Sequence, residues 1–118
     1  MATGVIGVAT YRIDPDGTLD GVWTVPRLAG RLGRELVTGG TPGQLAGTHR
    51  VETYDPDGQL IFHGTLEIAP EGQAWRFLFT GTGMTGEPAR YEGRALRQGQ
   101  EHLALAYWDV NTEPDAPA

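Results

Sequence analysis

Apolar and polar residues alternate at every second position through most of this chain. Period-two patterning marks half-buried β-strands. It predicts strands over residues 4–13, 18–26, 30–38, 45–54, 59–69, 74–81, 89–97 and 102–110. Thr, Val, Ile, Tyr, Phe and Trp, which suit a pleated surface, dominate these segments. The stretch Pro26 to Leu36 has some helical spacing but contains Gly30 and Gly33. Each glycine costs a helix about 1 kcal/mol, so a strand with at most one helical turn is expected there.

The connections are short and rich in Gly and Pro. Two are identical: Asp14-Pro15-Asp16-Gly17 and Asp55-Pro56-Asp57-Gly58. Proline presets φ at the first corner, aspartate bonds its own backbone and glycine takes positive φ, which is hairpin-turn chemistry. The flanking segments also echo one another, Ala9 to Ile13 with Gly47 to Val51 and Gly21 to Val25 with Gly64 to Ile68. Two related halves are one explanation, and the shared demands of hairpins are the other. Eight short strands in sequential hairpins predict an all-β fold, an antiparallel up-and-down β-barrel, because closure removes exposed edges. The barrel is expected to be a single domain over residues 1–110, with a flexible tail over 111–118.

With Asp55 to Gly58 as the loop, Tyr54 faces Gln59, Val51 pairs with Phe62 and His49 pairs with Gly64. One face then carries His49, Val51, Leu60, Phe62, Leu66 and Ile68, and the other carries Arg50, Glu52, Tyr54, His63 and Glu67. The first is the core face. Tyr11 and Ile13 are expected to point with Trp23 and Val25, which requires an odd-length loop or a bulge. Trp75, Phe77 and Phe79 share a face, as do Tyr91, Gly93 and Ala95, and leucine burial turns Leu103, Leu105 and Tyr107 inward.

Composition narrows the chemistry. The 118 residues include no Cys, no Ser and no Lys, and all nine cations are Arg. Thiolate nucleophiles, disulfides and Cys-type zinc sites are thereby excluded, as are serine triads and lysine Schiff bases. A net charge of −6 with no basic run argues against nucleic-acid partners and anionic membranes. Met1 to Gly7 lacks a basic n-region and no apolar run of 18 residues follows, so a cytoplasmic protein is expected.

His49 and His63 fall on opposite faces of adjacent strands and His102 at a strand start, so no three-histidine metal site is expected. The two Asp-Pro-Asp-Gly segments are too short for calcium loops. Gly81 to Gly86 has no lysine and no following helix, so it reads as a connection at the barrel mouth, with a lid as the alternative. Glu35 and Asp109 are carboxylates within reach of the interior, with Arg34 and Arg94 as candidate partners. No cofactor is implied.

Gly47-Thr48-His49-Arg50-Val51, Asp55-Pro56-Asp57-Gly58, Gly64 and Leu103 to Trp108 resemble a pattern of small bacterial β domains. The general shape is similar to calycin-type barrels, which include lipocalins and avidins, and to allene-oxide-cyclase-like barrels, some of which are cyclases. The lipocalin Gly-x-Trp signature occurs only as Gly21-Val22-Trp23, on the second strand and not the first, and the biotin-contacting aromatics of avidins have no counterparts. No family site residue carries over.

The first expectation is therefore a barrel that binds a small apolar or aromatic molecule. Tyr11, Trp23, His49, Phe62, Trp75, Phe77, Tyr91 and Tyr107 are the candidate lining, since an apolar cavity with few polar groups is typical of ligand sites. The second is a cofactor-free cyclase or isomerase, with His49 and Tyr91 as candidate catalytic residues. The third is a structural or interaction module with a filled core. Outward Ile61 and Trp108 hint at a homodimer face.

Overall fold

A computed structural model describes residues 6–110. The predicted tail over 111–118 and the first residues of the predicted domain and first strand lie outside the described residues. Eight strands follow one another: β1 (Ile6–Ile13), β2 (Leu19–Thr24), β3 (Gly33–Thr38), β4 (Gly47–Tyr54), β5 (Leu60–Glu71), β6 (Ala74–Gly83), β7 (Pro88–Gln98) and β8 (His102–Asp109). Each pairs antiparallel with the next, and β8 pairs with β1, closing an up-and-down barrel. A single 3-10 turn, Pro26–Leu28, precedes β3. It ends on Ala29 at φ 52° and Gly30 at φ 91°, which reverses the chain. No helix among the described residues is long and apolar enough to cross a membrane.

Alternation works as period-two patterning requires. In β1 the buried positions are Gly7, Ala9 and Tyr11, and in β8 Leu103 and Leu105 are buried. The outward positions carry the ion pairs. Arg12 meets Asp14 and Asp20, Arg34 meets Asp20, and Arg94 meets Glu71 and Glu92. These are surface pairs, each worth little. The predicted partnership of Arg34 and Arg94 with Glu35 does not occur, because both arginines occupy the outward set.

Both Asp-Pro-Asp-Gly segments form the same turn. The glycine N–H bonds the carbonyl of the first aspartate, at 3.0 Å in Asp14–Gly17 and 2.9 Å in Asp55–Gly58. Each loop encloses five residues, because Ile13 pairs with Leu19 and Tyr54 with Leu60. The odd length lets Tyr11 share the interior with Trp23. The second hairpin departs from the predicted register. After the longer loop a bulge between Thr53 and Tyr54 shifts pairing once more, so Val51 faces Gly64 and His49 faces Leu66. Two one-residue shifts cancel for facing, so His49, Val51, Phe62, Leu66 and Ile68 are buried as expected. They do not cancel at the bulge itself. Leu60, predicted inward, is 39% exposed, and Ile61, predicted outward, packs against the core.

The identical turns stand at opposite ends of the barrel. Three strands separate the β1–β2 turn from the β4–β5 turn, and an odd offset in an up-and-down barrel inverts the hairpin. The repeat is thus shared turn chemistry and not a duplicated half.

Candidate functional site

The barrel is filled at one end and hollow at the other. The lower end carries the β1–β2, β3–β4, β5–β6 and β7–β8 connections. There Leu19, Val37, Val51, Leu66, Phe77 and Leu103 are almost completely buried. Phe77 is the hub, 6.1 Å from the rings of both Tyr11 and Phe79. His49 belongs to this end. Its Nε2 lies 3.0 Å from the Leu45 carbonyl, which can only accept, so Nε2 carries the hydrogen. Its Nδ1 is buried with no hydrogen-bond partner. The ring lies against Gly40, where a Cβ would come within 2.3 Å of it.

The upper end carries the β2–β3, β4–β5 and β6–β7 connections and holds an open-mouthed cavity of about 100 Å³. Its walls are Trp23, Phe62, Phe79, Tyr91 and Tyr107, with Val25, Ile61 and Leu105 between them. Tyr11, Glu35 and Thr53 form the floor, and the exposed Arg27 of the 3-10 turn stands at the rim. Of the residues predicted to line a site, Tyr11, Trp23, Phe62, Tyr91 and Tyr107 meet here. His49, Trp75 and Phe77 do not face this cavity: His49 and Phe77 are packed into the lower core, and Trp75 stands near the start of β6 at that end. The two candidate catalytic residues, His49 and Tyr91, are therefore not brought together.

Glycines create the hollow. Gly7, Gly21 and Gly33 pair across the sheet with Tyr107, Tyr11 and Trp23 respectively. Each ring packs against its neighbour's bare backbone, and a Cβ there would come within 2.3–2.5 Å of ring atoms. Trp23 and Tyr107 therefore keep to the wall, and Tyr11 crosses Gly21 to the floor. Trp23 is further tied by its indole N–H, 3.0 Å from the Tyr54 carbonyl.

The floor follows from one row of paired residues, Tyr11–Gly21–Glu35–Thr53. Tyr11 crosses β2 over Gly21, and its hydroxyl donates to Glu35 Oε1. Thr53 donates to Glu35 Oε2 at 2.7 Å. Glu35 is 7% exposed and, among the described residues, forms no ion pair. Burial raises its carboxyl above the usual carboxylate range, while the two hydroxyl donors pull the other way. Burial also raises the Tyr11 and Tyr107 hydroxyls, and the nearby Glu35 charge adds to both. Tyr91 is raised by burial first and then by Asp109 and Glu87, with Arg27 opposing.

Two residues of the site, Thr53 and Arg27, are not among those the sequence pattern singles out. Thr53 alternates with Val51 and His49, so that spacing carries a signal for it. Arg27 sits in a turn with no periodicity and has none. Gly81 to Gly83 belong to β6, and Met84 to Glu87 form a tight hairpin closed by Gly83 N–H to the Glu87 carbonyl at 2.8 Å. Trp108 lies outside under the Arg94 guanidinium, 5.8 Å away. No cluster of three or more metal-ligating side chains exists among the described residues.

Fold and site together define a class: an eight-stranded up-and-down barrel with an aromatic cavity at one end and a carboxyl at its floor. No protein-family model, no curated protein and no solved structure matches this chain.

Proposed function

We propose that this protein binds one small, largely apolar molecule in the upper cavity, as barrels of calycin-like shape do. The observation that carries the reading is the contrast between the two ends of one interior. The lower half is filled with almost fully buried side chains, while the upper half keeps about 100 Å³ open among aromatic rings, with three polar side chains converging at the floor. Retaining such a hollow forgoes dispersion contacts and apolar burial, a cost that ligand binding explains. An engineered cavity of about 150 Å³ accepts benzene, so the space suits a compact group with any remainder projecting past the rim. The test is a fragment screen by two-dimensional amide NMR. Saturable shifts confined to Glu35, Thr53, Tyr91 and Tyr107 support the reading. Absence of any such response from fragments of every charge class would refute it.

A second reading, a cofactor-free isomerase or cyclase, rests on the raised carboxyl of Glu35 beside Tyr11. A protonated Glu35 would give its proton to a substrate oxygen and recover one from a carbon, with no net consumption. That reading requires turnover that falls by roughly a hundredfold or more in Glu35→Gln.

A further inference from the structure

We infer that the occupant of the upper cavity is a small organic cation, an alkylated ammonium group held in an aromatic cage with Glu35 as its counter-ion. The inference rests on the ligand-binding reading and names its chemical class.

Three observations converge. The first is the geometry of the walls. Phe62 and Tyr91 stand at 83° with centroids 5.4 Å apart, and Tyr91 and Tyr107 at 86° and 6.2 Å. These edge-to-face contacts are not a stack, and all three rings line the same cavity, where any aromatic face left uncovered attracts a cation. The second is the floor. Glu35 is buried and hydrogen-bonded by two neutral hydroxyls, yet no guanidinium or imidazole among the described residues pairs with it. A buried carboxylate is costly without an opposite charge. Each of its oxygens accepts one hydroxyl and retains a lone pair, so a cation in the cavity completes the site. The third is the surrounding field. Glu35, Asp109 and Glu87 all act on Tyr91 with negative sign, against one opposing cation, Arg27, which is exposed at the rim and screened by water. The chain as a whole carries −6. An anionic occupant would meet Glu35 with only the exposed Arg27 to offset it, and a neutral one would leave an ionised Glu35 without a counter-charge.

A quaternary ammonium head presents only methyl groups and needs no donor from the wall, where the Trp23 indole N–H is already committed to backbone carbonyls.

Choline and neohexanol, the same skeleton with carbon in place of nitrogen, test the assignment by NMR titration. Choline is expected to bind at least about tenfold more tightly, a difference of about 1.4 kcal/mol. Glu35→Gln should reduce that preference to under about threefold. If this variant does not fold, Arg27→Gln serves instead: removing the rim cation should raise the ratio of choline affinity to neohexanol affinity, and an unchanged or lower ratio counts against the assignment. Equal binding of choline and neohexanol, or a preference for neutral or anionic fragments, overturns the cation assignment and leaves the ligand-binding reading standing. Silence from compounds of every charge overturns both.

Discussion

Glu35→Gln keeps the shape of the floor side chain and abolishes its ionisation. In the native protein this carboxyl is buried, and burial makes it hold its proton more tightly than in the unfolded chain. The folded state therefore binds more protons than the unfolded state from the unfolded value, about 4.3, up to the higher native one. The contribution of Glu35 to stability falls as pH rises across that window and levels off above it. Each tenfold difference in proton affinity between the two states costs about 1.4 kcal/mol once both are ionised. The glutamine variant escapes this loss. At low pH it suffers a different one, because its amide nitrogen cannot accept. One hydroxyl must turn, and Thr53 can do so by accepting from the amide while Tyr11 still donates to the amide oxygen. That rearrangement costs on the order of 1 kcal/mol. The variant should thus match or trail the native protein near pH 4, gain on it as pH rises through that window and hold a constant difference above it. Urea midpoints measured for both proteins across that range give the difference directly, since every other titrating group cancels. A difference independent of pH would mean that Glu35 ionises in the folded barrel as it does in the unfolded chain, and the account of the floor would be wrong.

Other consequences are open to the same kind of measurement. Tyr11→Phe removes a buried donor to Glu35 and should cost about 1.5–3 kcal/mol in urea unfolding. It should also extend the pH-dependent fall to higher pH, because a stabiliser of the ionised carboxylate is gone. Unchanged stability would count against that bond. Gly21→Ala places a Cβ 2.5 Å from Tyr11 Cδ2, and the displaced ring should cost roughly 1–3 kcal/mol. A thermal melt would register this as a drop of several degrees, and an unaltered melting temperature would mean that the ring does not depend on the bare backbone. His49→Ala should lower stability by about 2–4 kcal/mol through a cavity at the lower end, while fragment affinity at the upper end stays within about twofold. An affinity collapse without a stability change would place His49 back among the ligand contacts.

The eight strands, their turns and their inward faces are legible in the amino-acid sequence, because period-two alternation and the Asp-Pro-Asp-Gly turns are local properties of neighbouring residues. The inward set holds even where the register does not, since two one-residue shifts preserve facing. Local patterning does not supply the bulge at Thr53, which exposes Leu60 and turns Ile61 to the core. Nor does it distinguish the packed end from the hollow one, because His49, Phe77, Tyr91 and Tyr107 all alternate correctly and differ only in their height along the barrel. Glu35 reads from the sequence as a carboxylate near the interior, but its partners depend on Tyr11 lying across Gly21 from two strands away. Away from the bulge, sequence by itself determined which residues turn inward, through the pleat. Only closure of the sheet decided which of them meet, because strand stagger and the missing side chains of Gly7, Gly21 and Gly33 set where the rings lie.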